Sequence, residues 1–466
     1  MNDNTPDLSR RQLLMAGSCG FGHLAFSGLA TQQALAGQST VIDKNHPLAQ
    51  RKPHFAARAK RVIFMFMQGG PTHVDTFDHK PELKKQHGKQ VNFSYDGKKF
   101  SGKLMESPFK FNPCGKSGLM MSELFPNLAK HADDLCLINS MHTAAPAHPQ
   151  ATIFLHTGSV TFVRPSVGSW LVYGLGTQNQ NMPGFVTINP LNRLGGAQNY
   201  GAAFLPAAFQ GTRINAGSNA IPNIKHPSMS PSDQRKHVDL IQKMNRELLE
   251  QKKVNTDIEG VIESYELAFR MQSTVPVVMD VGKEPQAVKE MYGIGQKETS
   301  NFGLQCLMAR RLAESGVRFI EVTLGGWDQH NGLKTRLPLN CRSIDKPIAA
   351  LMTDLKRRGM FDDTLIVWGG EFGRTPAEQN KFNGRKHNNT GYTMWMAGGG
   401  VKGGIRHGAT DPTGWTAVEN KVHIHDLHAT ILHLMGLDHT KLTYRYAGRD
   451  FRLTNVYGDV VHDIIA

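Results

Sequence analysis

The sequence predicts an α/β fold: a mainly parallel sheet with helices packed around it. Three observations predict it. Four continuous apolar runs read as strands buried on both faces. Helical patterns between them stop on glycine just ahead of the next run. Each run then ends in glycines and polar side chains, at the edge where open parallel sheets bind their ligands.

The chain opens with Ser9-Arg10-Arg11-Gln12-Leu13-Leu14, a mildly apolar stretch and Ala34-Leu35-Ala36. That order matches a twin-arginine signal cleaved after Ala36. Glycines at 17, 20, 22 and 28 argue against a stable helix here. We therefore expect a signal peptide over 1–36, an extended lead-in over 37–60, and one domain over 61–466. Export by the twin-arginine machinery would deliver it to the periplasm, the cell envelope or the exterior.

The first strand is expected over 62–67, broken by Gly69-Gly70-Pro71. Runs at 135–138, 317–324 and 364–368 give three more. Leu304, Leu307, Met308 and Leu312 mark a helix stopped by Ser315-Gly316, and a second helix over 348–358 stops at Gly359. A helical insert is expected over about 230–272, where Ser230 can cap, Pro231 fits the first turn, and Val238, Ile241, Met244 and Leu248 form one stripe. Residues 273–285 read as a linker.

Composition narrows the function classes. At 466 residues, 39% hydrophobic and 20% charged, the chain can bury a large core. No apolar run reaches the roughly 18 residues of a membrane span, so no transmembrane helix is expected in the mature protein. The formal charge of +14 fits either a solvated basic surface or acidic substrates and anionic envelope surfaces. Nucleic acid is not expected, because no dense basic run interleaves with aromatics. The five cysteines show no zinc-type pairing; Cys136 and Cys306 read as buried, Cys114 and Cys341 as lying in polar surroundings.

Chemistry gathers at the strand ends. His73, Asp75 and Asp78 follow the first run; Ser140, His142 and Thr143 follow the second, with His148 opening a helix that ends near Thr157-Gly158. Asp328 and His330 follow the third. Glu371 and Arg374 follow the fourth, with Arg385, Lys386 and His387 close behind. Carboxylates and imidazoles without thiolates form a ligand set for one or two divalent ions, able to clamp the oxygens of an in-line displacement. Arg374 and Lys386 could hold a sulfate or phosphate, or serve in surface ion pairs. His423, His425, His428 and His433 read as solvated positions on a core-facing helix. No Gly-x-Ser-x-Gly elbow is present.

Gly69-Gly70-Pro71-Thr72-His73-Val74-Asp75-Thr76-Phe77-Asp78, Gly326-Trp327-Asp328-Gln329-His330 and Gly370-Glu371-Phe372-Gly373-Arg374-Thr375-Pro376 resemble the signature blocks of the exported "domain of unknown function 1501" family. That family is a sulfatase-like branch of the alkaline-phosphatase-like superfamily. The segments from His425 and from Tyr446 to Asp450 are similar to the same branch. The resemblance implies a three-layer sandwich with one or two divalent metal ions (Zn, Ca, Mn or Mg) at the carboxyl edge of its sheet. It implies Asp328, His330 and His387 as ligands of one metal, and Glu371 as a ligand where relatives place an aspartate. Asp75 or His73 would stand in for the first-strand aspartate, since Gln68 is neutral.

The superfamily's hydroxyl or modified-cysteine nucleophile falls at His148, with Thr143 the nearest hydroxyl, and the sulfatase Cys-x-Pro-x-Arg motif is absent. His148 could attack phosphorus, move a proton or bind metal. The implied activity is metal-dependent hydrolysis of sulfate or phosphate esters, on an anionic small molecule or polysaccharide, with Arg374 neutralising developing charge. The alternative is a non-catalytic envelope binding or scaffolding protein that keeps the fold.

Overall fold

Residues 61–67 carry no polar side chain after Arg61, and β1 (Arg61–Met67) is buried along its whole length. The computed structural model describes residues 47–466 apart from 96, 218–220, 222–227, 253–255, 380 and 382. The expected signal at 1–36 lies outside the described residues, as do residues 37–46 of the lead-in.

The main sheet adds β2 (Leu135–His142), β3 (Phe185–Ile188), β4 (Thr212–Ile214), β5 (Phe319–Leu324) and β6 (Thr364–Gly369). After a small antiparallel pair, β7 (Gly373–Gln379) with β8 (Gly384–Asn388), come β9 (Tyr392–Ala397), β10 (Ile405–His407) and β11 (Val422–His423). Strand order is β10-β2-β9-β6-β1-β5-β3-β4, with β11 also pairing β2. β1 runs parallel to both β5 and β6. Only β9 runs against its neighbours β6 and β2 in this sheet.

Alternation along β1 divides the core. Ile63, Met65 and Met67 join one apolar cluster; Val62, Phe64 and Phe66 join the other. The first is closed by α5 (Ser300–Glu314) and α6 (Leu333–Arg357). The second is closed by α1 (His148–Thr157), α2 (Val167–Leu175) and α7 (Ile424–Leu434). The result is a mixed α/β sandwich of helices, mainly parallel sheet and helices. Burying one large apolar side chain contributes about 1.5–3 kcal/mol, so both helical layers are held chiefly by this packing.

α3 (Pro231–Lys252) and α4 (Thr256–Met279) occupy the insert region, and α4 runs into the stretch read as linker. α6 begins well before its expected start near 348, with Pro338 and Pro347 accommodated inside it. His425 and His428 are buried at 4% and 1% exposure, not solvated: their Nε2 atoms meet the carbonyls of Gly158 and Leu155 where α7 packs on α1. Cys341 is buried too, on the core face of α6. Among the described residues no helix is long and apolar enough to cross a membrane.

Candidate metal centre

Two successive three-residue turns follow β5: the Gln329 N–H donates to Trp327 O at 3.2 Å and the His330 N–H to Asp328 O at 3.1 Å. They set the Asp328 and His330 side chains together. His387 arrives from β8, in register with Arg374 of β7. His148 arrives from the first position of α1, where Pro149 opens the helix. The ligand atoms of these four residues all lie within 4.8 Å of one another.

Asp328 Oδ1 is the hub. It lies 3.0 Å from His330 Nε2, 3.3 Å from His148 Nε2 and 3.5 Å from His387 Nε2, while the two Nε2 atoms of His330 and His387 are 2.9 Å apart. A tetrahedral ion with ligands at ~2.0–2.1 Å spaces them by roughly 3.3 Å, which is the scale seen here. Two imidazoles have their outer nitrogens committed. His148 Nδ1 donates to Glu371 Oε1 at 2.6 Å, and His330 Nδ1 donates to Gln379 Oε1 at 2.7 Å. Each therefore turns an Nε2 lone pair inward, as outer carboxylates and amides do for metal-binding histidines. His148 Nε2 is buried and makes no well-formed hydrogen bond. Lone pairs and an anionic oxygen converging on one point call for a cation there, so the donors present fit a divalent ion.

Charge follows this geometry. Burial alone would raise the Asp328 carboxyl, but His148, His330, His387 and the Arg374 guanidinium outweigh it and hold it far below the usual carboxylate range. Burial, then the positive surroundings of Arg374 and the other imidazoles, pushes His387 down to about 4 against the favourable hydrogen bond it donates to Asp328. For His148 burial opposes protonation, and Asp328 and Glu371 together overcome it and raise the pKa. The Phe372 ring packs against His148 and His387, with centroids 4.7 and 4.6 Å away, and walls the centre on one side.

The remaining expected residues sit elsewhere. Glu371 is fully buried and stands behind His148; its carboxylate also accepts the Gly69 N–H at 3.0 and 3.1 Å. Arg374 is equally buried. Its guanidinium holds Asp328 Oδ1 at 2.5 Å and also donates to the carbonyls of Gly69, Gly70, Trp327 and Arg385, so it braces the centre from below. Asp75 faces away, paired with Arg385 at 2.7 and 3.0 Å, and His73 Nε2 meets Gly414 O at 2.8 Å. Thr143 is buried, its backbone bonded to Asn389 at 2.9 and 2.7 Å. Lys386 stacks its ammonium over Phe100 at 3.8 Å.

Gln379 was missed, because a strand of sequence Gly-Arg-Thr-Pro-Ala-Glu-Gln shows no apolar alternation to mark it. Also unforeseen was a cleft of about 560 Å³ beside Asp328 and His148, walled by Leu191, Asn192, Arg193 and Leu194 and floored by Gly69, Gly325 and Gly326. At Gly69 the floor has no room for a side chain: a Cβ there, where φ is +120°, would meet Asp328 N at 2.7 Å.

A family model described as "Protein of unknown function (DUF1501)" matches residues 59–465. The chain belongs to the DUF1501 family. A search of curated sequences finds no match. Among solved structures, this DUF1501 chain is similar to a lipoteichoic acid synthase from Listeria monocytogenes, with 11% identity, TM-score 0.38, and coverage of 91% of this chain and 81% of the other. It is similar to a sulfatase from Pseudoalteromonas sp. at 14% identity and TM-score 0.36, covering 89% and 71% of the two chains. It is also similar to alkaline phosphatase from the Antarctic bacterium TAB5, at 8% identity and TM-score 0.36, covering 82% and 99%.

Proposed function

We propose that this chain is a metal-dependent hydrolase of sulfate or phosphate esters that works after export, in the periplasm, the envelope or outside the cell. The observation that carries the reading is the convergence of three imidazole Nε2 atoms and the Asp328 carboxylate within 4.8 Å, with two of the outer nitrogens already bound. Asp328, His330, His387 and His148 would hold one divalent ion. Bound there, such an ion supplies a Lewis acid for an ester oxygen and lowers the pKa of a water. The export part rests on the paired arginines at 10 and 11 and the small-residue site ending at Ala36.

The chain's own residues do the rest. Glu371 keeps His148 in the tautomer that faces the centre, and Gln379 does the same for His330. Arg374 fixes Asp328. The neighbouring cleft receives the ester, and Arg193 at its exposed wall favours an anionic group, in keeping with the +14 charge. Water is the nucleophile, because the four donor residues are histidines and an aspartate and bring no hydroxyl to the centre. This same lack of a hydroxyl favours the second reading, an envelope binding protein that has kept the fold.

Metal analysis of the purified chain beside Asp328→Ala and His330→Ala decides between them. One equivalent of Zn, Mn, Ca or Mg in the parent, lost from both folded variants, followed by turnover of aryl sulfate or aryl phosphate, is the expected result. Absence of metal after reconstitution with each ion refutes the hydrolase reading; metal without turnover of either ester leaves the binding protein.

A further inference from the structure

The loop joining α1 to α2 ends in large apolar side chains that no neighbour covers. Val160, Phe162 and Val163 are 44%, 64% and 62% exposed. Arg164 follows them, its guanidinium 4.1 Å from the Phe451 ring centroid and 5.3 Å from that of Phe162. Arg449 lies 5.0 Å from the same Phe451 ring. Phe204 is 5.0 Å from Phe451 and stacks on Tyr446, itself 51% exposed, at 5.1 Å and 17°. The loop and the β-hairpin at 444–451 therefore form one continuous face of apolar tips and arginines.

Its charge is one-sided. Segments 158–166 and 444–452 together hold Arg164, Arg445, Arg449 and Arg452 against one acid, Asp450, which is paired with Arg445 at 3.2 Å. Among the described residues neither Arg164 nor Arg449 has a carboxylate partner. Apolar tips ringed by arginines are the composition of an interfacial anchor: the tips enter the boundary between headgroups and acyl chains, while the guanidinium heads stay with the phosphates.

We propose that this face docks the protein on an anionic lipid surface, with Val160, Phe162 and Val163 entering the headgroup boundary and Arg164 and Arg449 meeting lipid phosphates. Charge argues against a second copy of the chain, since a two-fold contact sets guanidiniums against guanidiniums. A polyanionic glycan would satisfy the arginines but offers no hydrocarbon to the valines. The proposal stands apart from the metal centre, although α1 links the two: His148 lies at its first residue and the loop at its far end, a helix of ten residues spanning ~15 Å.

The test uses the full chain with Phe162→Cys carrying a polarity-sensitive nitrobenzoxadiazole label, and the unsubstituted chain, labelled in parallel, as background. With phosphatidylglycerol vesicles the 162 label should shift to the blue, with no shift on phosphatidylcholine. Arg164→Gln with Arg449→Gln should weaken vesicle partitioning at least tenfold, and Phe162→Ser with Val163→Ser should abolish the label-independent difference between the two vesicle types. Should Phe162→Cys fail to fold, Val163→Cys carries the label. An unchanged label on vesicles that nevertheless bind the chain overturns the proposal, because contact is then made elsewhere. So does a response to dextran sulfate without one to vesicles, or a response that follows protein concentration alone and reports self-association.

Discussion

Both oxygens of the Glu371 carboxylate accept the Gly69 N–H, and Oε1 also takes the Nδ1 proton of His148. Exchanging it for an amide keeps the shape but sets an NH2 where one acceptor stood. We expect Glu371→Gln to fold and to bind metal 10–100-fold more weakly, the usual cost of losing an outer-shell partner, as measured by chelator competition. An unchanged dissociation constant would remove Glu371 from the support of His148. Strand-end position made 328, 330, 387 and 148 legible in the sequence, because each follows an apolar run or opens the helix behind one. Their division of labour was not legible. Asp75 and His73 occupy an equally polar strand end, yet Arg385 and Gly414, more than 300 positions later, claim them. Partners so distant leave no local pattern.

One polar contact inside the sandwich bears on how α1 is seated. His156 Nδ1 donates to Thr152 O at 2.7 Å, which turns its other nitrogen toward Glu321 of β5, 3.3 Å away; both residues are almost wholly buried. With Nδ1 donating, a second proton must lie between Nε2 and the carboxylate for the contact to attract. Burial opposes a charged His156, but Glu321 overcomes it and raises the pKa. The pair's contribution is thus complete below about pH 6.5 and is lost as pH rises through the raised folded value. Glu321→Gln should cost about 3–5 kcal/mol in urea unfolding, whereas Glu321→Leu combined with His156→Phe should cost less, because no charge is left buried alone. Equal losses would show that packing, not the charge, matters here. At this scale the apolar runs located β1, β2, β5 and β6 from sequence. The first half of α6 was hidden because Pro338 and Pro347 argue locally against a helix, and β3 and β4 because runs of four and three residues are too short to stand out by periodicity.

Acid should unsettle the molecule as a whole where α7 meets α1. Burial, assisted by His425 and His142, lowers His423 to about 4; burial, opposed by the Leu155 carbonyl and assisted by neighbouring histidines, lowers His428 to about 3. Both are depressed below the ordinary value of about 6.5, so their contribution is present above that pH and is lost as pH falls toward 4 and then 3. Between pH 7 and 4.5 the His428 site alone should remove about 2–3 kcal/mol of unfolding free energy. His428→Gln should flatten that part of the stability profile, and a profile as steep as the parent's would assign acid lability to other groups.

The donors at 148, 328, 330 and 387 come from widely separated stretches of chain, carried by α1, the turn after β5, and β8. No two neighbouring elements hold all of them, so the centre cannot exist until the sheet between β2 and β5 has closed. Loop closure over such distances comes late in folding. An ion bound there would therefore not template this chain as it does a zinc finger; it would enter a finished vessel. If the proposed ion binds there, whichever compartment completes the fold would also choose the metal, from whatever ions are abundant there at that moment.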